Sequence, residues 1–338
     1  MRVWFNHWFS TIYPLMKSLK DENPNIYLIG SNRVASAVYR TLCEEFYVEP
    51  SNMGSENYLD WCINFCKEHK VDVFVPRGNR VIFSKNKNKF LEIGTQVLVD
   101  DNSELVEILE DKIETKKYFD ENSICGTPDM FLITSISDFE DKYKYLKKKY
   151  RNRGICMKYP IDEGGISFRV IFEEDIKSAY LPDVFDKIIT YNMVLRVLND
   201  NINFKPFILM PFLDDPEISV DSLMTDKGFI CVSRKKVGTR ATLIYYDPEL
   251  SEISKKFAEI SGIKTPYNMQ FRLLEGKYVL LEVNTRISGG CYKDLFVGID
   301  TLSIYLKGLL GEEYTLPDYK RISEKFISVV ETPIIMNL

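Results

Sequence analysis

The first hundred residues alternate short apolar runs with amphipathic segments, and this alternation limits the possible folds more than any other feature. Arg2 to Phe5 reads as a strand and Ile12 to Leu19 as a helix. Asn25 to Gly30 (NIYLIG) reads as a buried strand ending in glycine, Val34 to Leu42 as a helix and Glu45 to Val48 as a strand. A helix over Glu56 to His69 and a strand over Val71 to Val75 follow, broken by Pro76-Arg77-Gly78-Asn79. A further helix, a strand at Gln96 to Val99 and a helix from Ser103 complete the series. Apolar strands separated by helices predict a parallel sheet covered on both faces.

The middle of the chain changes character. A helix carrying Asp111 and Lys112 is predicted to about Asn122, then a strand over Met130 to Ile133. A basic helix from Ser137 ends in KKKYRNR, whose charges read as a solvated face. Gly154 to Tyr159 and Ser167 to Phe172 are strands joined by a Gly-Gly turn, and a polar irregular stretch reaches about Asn203. The last part opens on the apolar strand Phe207 to Phe212. Hairpins are predicted over Ile218–Met224/Gly228–Ser233 and Asn268–Leu274/Tyr278–Asn284, with a helix over Pro248 to Ser261 between them. A helix near Asp300 to Leu310 and a strand near Phe326 to Val330 close the pattern. The 338 residues suit two or three domains, set at 1–105, 106–205 and 206–338.

Composition narrows the function classes. With 45% apolar residues, 21 Phe and 20 Tyr, the chain can pack a core. A net charge of −5 argues against a nucleic-acid partner. The seven cysteines form no C-x-x-C pair and only two histidines occur, so a Cys/His zinc site is not expected. Cys62 and Cys66, one helical turn apart, read as buried small residues. Scattered thiols without a disulfide spacing suit a reducing, cytoplasmic setting. The N-terminus does not read as a signal peptide, and with no run of about 18 apolar residues no membrane span is expected.

Three segments carry chemistry. In LLEVNTRISGG (280–290), strand alternation puts Glu282, Asn284 and Arg286 on one side and Leu281, Val283 and Thr285 on the other. Such a polar row suits a hard cation with phosphate oxygens, with Gln270 of the preceding strand as a further oxygen ligand; an inert, half-exposed strand face is the equal alternative. Lys158 ends an apolar strand beside Gly164, Gly165 and Ser167, a pattern that suits an anion. Ile208 to Leu213, with Met210 and Phe212, could line an adenine, and Glu217 could take ribose hydroxyls. Gly30-Ser31-Asn32-Arg33 is not a G-x-G-x-x-G turn, which disfavours a dinucleotide oxidoreductase.

Taken in order, these segments resemble the ATP-grasp superfamily, most closely its carboxylate–amine ligase branch near carbamoyl-phosphate-synthase large subunits. The resemblance covers essentially the whole chain. It implies an α/β fold, with an N-terminal Rossmann-like parallel-sheet domain ahead of a two-part α+β ATP-grasp domain. It implies ATP and magnesium (or manganese) as cofactors. The nucleotide would be bound by Lys112, Lys158, Gly164, Gly165, Ser167, Met210, Phe212, Leu213 and Glu217. Gln270, Glu282 and Asn284 would hold the metal, with Arg286 and Lys158 catalytic. The implied reaction activates a small-molecule carboxylate as an acyl phosphate and joins it to an amine. A bicarbonate-using carboxylase and a non-catalytic nucleotide-binding module are the alternatives. Tyr159 stands where the family usually has Pro, and the glycine turn DEGGISF is poorer in Gly and Ser than usual. Arg169, Arg234, Lys236 and Arg240 are candidates for gripping an anionic substrate, with plain surface charge the equal alternative for each. The apolar first domain makes a homodimer plausible.

Overall fold

The computed structural model describes residues 1–162, 164–173, 187–201, 203–213, 216–238 and 240–336. Glu163 of the glycine turn and part of the polar stretch expected before Asn203 lie outside them. Two compact units are present. The first comprises Met1–Glu107, Ile218–Met269 and Val283–Leu338, and the second Ile108–Glu217 with Gln270–Glu282.

The first unit begins with strands β1 (Arg2–Asn6), β2 (Tyr27–Asn32), β3 (Glu45–Val48), β4 (Val73–Pro76) and β5 (Gln96–Val97). They form a five-stranded sheet of order β3-β2-β1-β4-β5, with every pair parallel. Its central strands are mostly apolar because both of their faces are covered. Val3, Phe5, Leu28, Val73 and Val75 pack on Ile12, Leu15, Met16 and Leu19. The residues between them, Trp4, Ile29 and Phe74, pack on Leu59, Cys62, Phe65 and Cys66. Cys62 and Cys66 are thus buried core, as their spacing suggested.

In the second unit, β6 (Phe131–Ile133), β7 (Ile155–Lys158), β8 (Arg169–Phe172), β9 (Ile188–Thr190) and β10 (Phe207–Pro211) form a sheet of order β6-β10-β7-β8-β9. The basic helix Ile136–Lys149 buries Phe139, Tyr143 and Leu146 and turns its lysines outward. A third sheet contains β11 (Ile218–Thr225), β12 (Gly228–Val237), β13 (Ala241–Tyr245), β14 (Tyr267–Leu274), β15 (Lys277–Asn284) and β16 (Lys325–Ser328). Its order is β15-β14-β11-β12-β13-β16. The predicted turn at Asp226-Lys227-Gly228 joins β11 to β12, with Thr225 opposite Gly228.

Three expectations change. The helix expected over Val34 to Leu42 is only a 3-10 turn, Val38–Leu42. Asn32 Oδ1 accepts the Val34 N–H, and the buried Tyr39 hydroxyl donates to Ser31 O, so side-chain bonds hold the segment where a helix would have used its own backbone. A helix, Tyr191–Asp200, occupies part of the stretch expected to be irregular. Thr190 caps it, and Val194 and Leu198 bury one narrow stripe, too little apolar content to stand out among the polar residues. Finally, β12 runs on through Lys235 and Lys236 to pair with β13, so the hairpin partner Ala241–Tyr245 is an extra strand.

Candidate functional site

In the second unit the helix Lys112–Glu121 starts at Asp111, whose carboxylate accepts the N–H groups of Ile113 and Glu114 at 2.7 and 3.2 Å. This N-cap fixes Lys112, which is 7% exposed. Its Nζ donates to the carbonyls of Asp162 (3.0 Å) and Pro160 (3.4 Å) and lies 3.5 Å from Glu282 Oε2.

Lys158 ends β7. Alternation puts it on the side of Cys156, which packs in an apolar cluster with Met130, Ile208 and Met210; Met157, on the other side, joins a separate core. Ile113, Phe168, Phe212 and Leu281 flank that cluster. Burial, and then the neighbouring Lys112, push the Lys158 ammonium down to about 8, while Glu282 pulls the other way. Arg272 adds a further positive potential on Lys158. The arrangement therefore concentrates cationic groups against one carboxylate beside an apolar wall.

The glycine turn has the backbone its sequence suggested. Gly164 and Gly165 are both left-handed, at φ 65° and 67°. Ser167, however, is bound within the turn: its hydroxyl donates to Asp162 Oδ2 (2.5 Å) and accepts the Tyr159 N–H (2.8 Å), and its own N–H reaches the same carboxylate at 2.9 Å. Asp162 thus closes the loop and presents its carbonyl to Lys112.

In the segment expected to line an adenine, Met210 and Leu213 are buried and Phe212 is half-buried. β6 pairs with β10 only as far as Leu209, opposite Phe131, while Met210 pairs with Cys156 of β7. Phe212 N–H donates to Gly154 O at 2.7 Å, and Leu213 O accepts Arg272 Nη1 at 2.8 Å. Glu217 and Gln270 are half-buried in the same unit. Arg272 was missed in the sequence, although it lies two positions from Gln270 on β14 and shares its side.

Along 282–287 burial alternates as the sequence required: Val283, Thr285 and Ile287 are buried, and Glu282, Asn284 and Arg286 are half-buried. Asn284 and Arg286 belong to the first unit. In that unit Arg234 is 4% exposed and tied between two buried carboxylates. It pairs with Asp221, lies 3.0 Å from Asp294 Oδ1, and donates to Ser288 Oγ at 2.8 Å. Asn268 Nδ2 holds the other Asp221 oxygen at 2.9 Å. Burial raises the Asp294 carboxyl well above its ordinary range even though Arg234 opposes the shift. Arg234 is therefore an internal strut, neither the anion grip nor the plain surface charge that the sequence allowed. Arg169 likewise donates to Ile166 and Phe168 carbonyls of its own turn, whereas Lys236 and Arg240 are exposed.

The donors fit the implied cofactors. Among the described residues no group of three or more His, Cys, Asp or Glu side chains could hold a metal. The expected set has one carboxylate and two amides, oxygen donors of the kind magnesium takes together with phosphate oxygens. A polyphosphate would also relieve the mutual repulsion of Lys112 and Lys158. All seven cysteines are free thiols, and no described helix is long and apolar enough to cross a membrane.

Residues 203–331 match the family described as ATP-grasp in the biosynthetic pathway with Ter operon. No curated protein matches the chain by sequence. Among solved structures, the biotin carboxylase domain of 2-oxoglutarate carboxylase from Hydrogenobacter thermophilus aligns with a TM-score of 0.67 at 15% identity, over 93% of this chain and 70% of that one. Biotin carboxylase from Campylobacter jejuni aligns with a TM-score of 0.65 at 17% identity, over 95% and 73%. N5-carboxyaminoimidazole ribonucleotide synthetase from Thermus thermophilus aligns with a TM-score of 0.65 at 13% identity, over 96% and 82%. The chain therefore has an ATP-grasp fold.

Proposed function

We propose that this chain is an ATP- and magnesium-dependent ligase that activates a small-molecule carboxylate and joins it to an amine. The observation that carries the reading is the convergence of Lys112 and Lys158 on Glu282 beside the apolar cluster around Met210. MgATP, when bound, supplies the phosphoryl group that converts the carboxylate to an acyl phosphate, from which the amine displaces phosphate.

Lys112 and Lys158 bind the phosphates. The left-handed Gly164-Gly165 turn lets backbone N–H groups approach an anion, and Asp162 and Ser167 hold that turn in shape. Met210, Phe212 and Leu213 contact the adenine, and Glu217 the ribose. Gln270 and Glu282 are metal ligands; Asn284 and Arg286, two and four positions beyond Glu282, complete the set that the sequence order implies. Arg286 stabilises charge on the transferring group. The three-part division at 1–105, 106–205 and 206–338 fits this scheme, with the middle part shielding the acyl phosphate from water. The scattered thiols support a cytoplasmic setting, and a homodimer is the assembly proposed.

The principal test is a screen of carboxylates, amines and bicarbonate for substrate-dependent release of ADP and phosphate. Release that requires both a carboxylate and an amine supports the ligase. The second reading, a bicarbonate-dependent carboxylase, draws on the aligned Hydrogenobacter thermophilus domain, a complex with MgADP and bicarbonate; release with bicarbonate alone would favour it. ATP binding with no release on any substrate would support a non-catalytic module and overturn both.

A further inference from the structure

The segment Lys325-Phe326-Ile327-Ser328-Val329-Val330-Glu331 is self-complementary about Ser328. Reversed against itself, it places Lys325 opposite Glu331, Phe326 opposite Val330, Ile327 opposite Val329 and Ser328 opposite Ser328. A strand pairing antiparallel with its own copy across a two-fold axis produces that reversed register.

The fold leaves the segment in position to do so. β16 is the terminal strand of its sheet, pairing with β13 on one side only among the described strands. Val329 N–H donates to Arg240 O, at 3.2 Å. Antiparallel ladders alternate, so Val329, Ile327 and Lys325 turn their backbone groups toward β13. Phe326 and Ser328 turn theirs toward the open edge, and Val330 lies two residues past the end of the strand at Ser328. In the reversed register Ser328 meets Ser328, outward against outward, and Phe326 meets Val330 once the strand is extended by two residues in the pair. A shift by one residue would set outward groups against inward ones.

The side chains agree with the backbone. Phe326, on the edge strand, is 64% exposed, and Val330, just past its end, 82%. Phe296 is also 57% exposed, and its carbonyl accepts Lys325 Nζ. Glu331, 85% exposed at its side chain, is 3.7 Å from Arg240 and remains open to a second cation. Natural open edges usually carry features that block pairing; here charge, apolar content and hydrogen-bond parity all favour it.

We propose that two copies of this chain associate through β16, antiparallel about Ser328, extending the sheet across a two-fold axis. The pairing is independent of the ligase reading. A short paired edge buries less than a permanent interface, so the dimer should dissociate measurably on dilution.

The test is sedimentation of the full chain across a concentration series, with three variants. The native chain is expected to show a reversible dimer. Ser328→Pro removes a donor on the open side only, and Phe326→Lys places a charge on the edge; each should shift the dissociation constant upward at least tenfold. Because either variant could perturb folding, Ser328→Cys provides an independent readout. Under mild oxidation it should give a cross-linked dimer, whereas Glu324→Cys, away from the axis, should not. A native chain that stays monomeric at high concentration would overturn the proposal. So would a dimer that Ser328→Pro and Phe326→Lys leave unchanged, or one in which Ser328→Cys does not cross-link.

Discussion

Lys112 Nζ lies 3.5 Å from Glu282 Oε2, although the two residues are separated by most of the second unit's sequence. Lys112 is held by the helix cap at Asp111 and by the carbonyls of Pro160 and Asp162, so its ammonium is placed before any ligand arrives. Glu282 is an acidic group that offsets the positive potential of Lys112 and Lys158 in this part of the unit. Its replacement should affect both metal and nucleotide. Glu282→Gln is expected to raise the magnesium concentration needed for half-maximal nucleotide binding by about tenfold or more, as losing a charged metal contact of about 1.4 kcal/mol or more requires. A magnesium titration of nucleotide binding checks this.

Lys158 provides a pH signature. Its folded pKa, about 8, is below the ordinary lysine value of 10.5. The sign follows: between those values the unfolded chain binds the proton and the folded chain does not, so this group makes stability rise as pH increases from about 8 toward 10.5. Below about 8 both states are protonated, and the charge is carried at a cost in the folded state. Binding a polyphosphate favours the charged ammonium, so at pH 8.5 to 9 nucleotide binding should take up a proton. Calorimetry in buffers of differing ionisation heat should detect that uptake in the native chain, and Lys158→Met should lose it.

The glycine turn is expected to tolerate little change. Asp162→Ala removes the acceptor of Ser167 Oγ and Ser167 N–H. Nucleotide affinity should fall roughly tenfold, since losing hydrogen bonds to a part-buried charged acceptor costs about 1.5 to 3 kcal/mol shared between loop order and binding. The thermal midpoint of the free protein should move only slightly. A large loss of stability with unchanged affinity would place Asp162 in fold maintenance alone.

Arg234 tests the opposite kind of role. Arg234→Ala leaves Asp221 and Asp294 buried without their cation. Breaking such a pair costs on the order of 3 to 5 kcal/mol, so urea unfolding should show a midpoint lowered accordingly. A surface grip on substrate would instead leave stability unchanged and raise KM.

Much of this was legible before the structure. The parallel sheet was readable because its central strands are buried on both faces, which makes NIYLIG and its neighbours mostly apolar. The alternation of Glu282, Asn284 and Arg286 against buried Val283 and Thr285 was readable for the complementary reason, a strand with one polar side. What escaped depends on tertiary context. Tyr39 gives its hydroxyl to Ser31 and replaces a helix by a turn. Ser167 is claimed by Asp162, and Arg234 by two carboxylates contributed from distant positions. Arg272 was within reach, since it lies two positions beyond Gln270 on the same strand and so shares its side.

The central claim is that Lys158 and its surroundings form a MgATP site, and direct titration of MgATP onto the native chain and onto Lys158→Met tests it. Saturable binding to the native chain, weakened at least tenfold in Lys158→Met with the unfolding midpoint retained, is the predicted result. Native binding that Lys158→Met leaves unchanged, or no binding of MgATP to the native chain, would contradict the account.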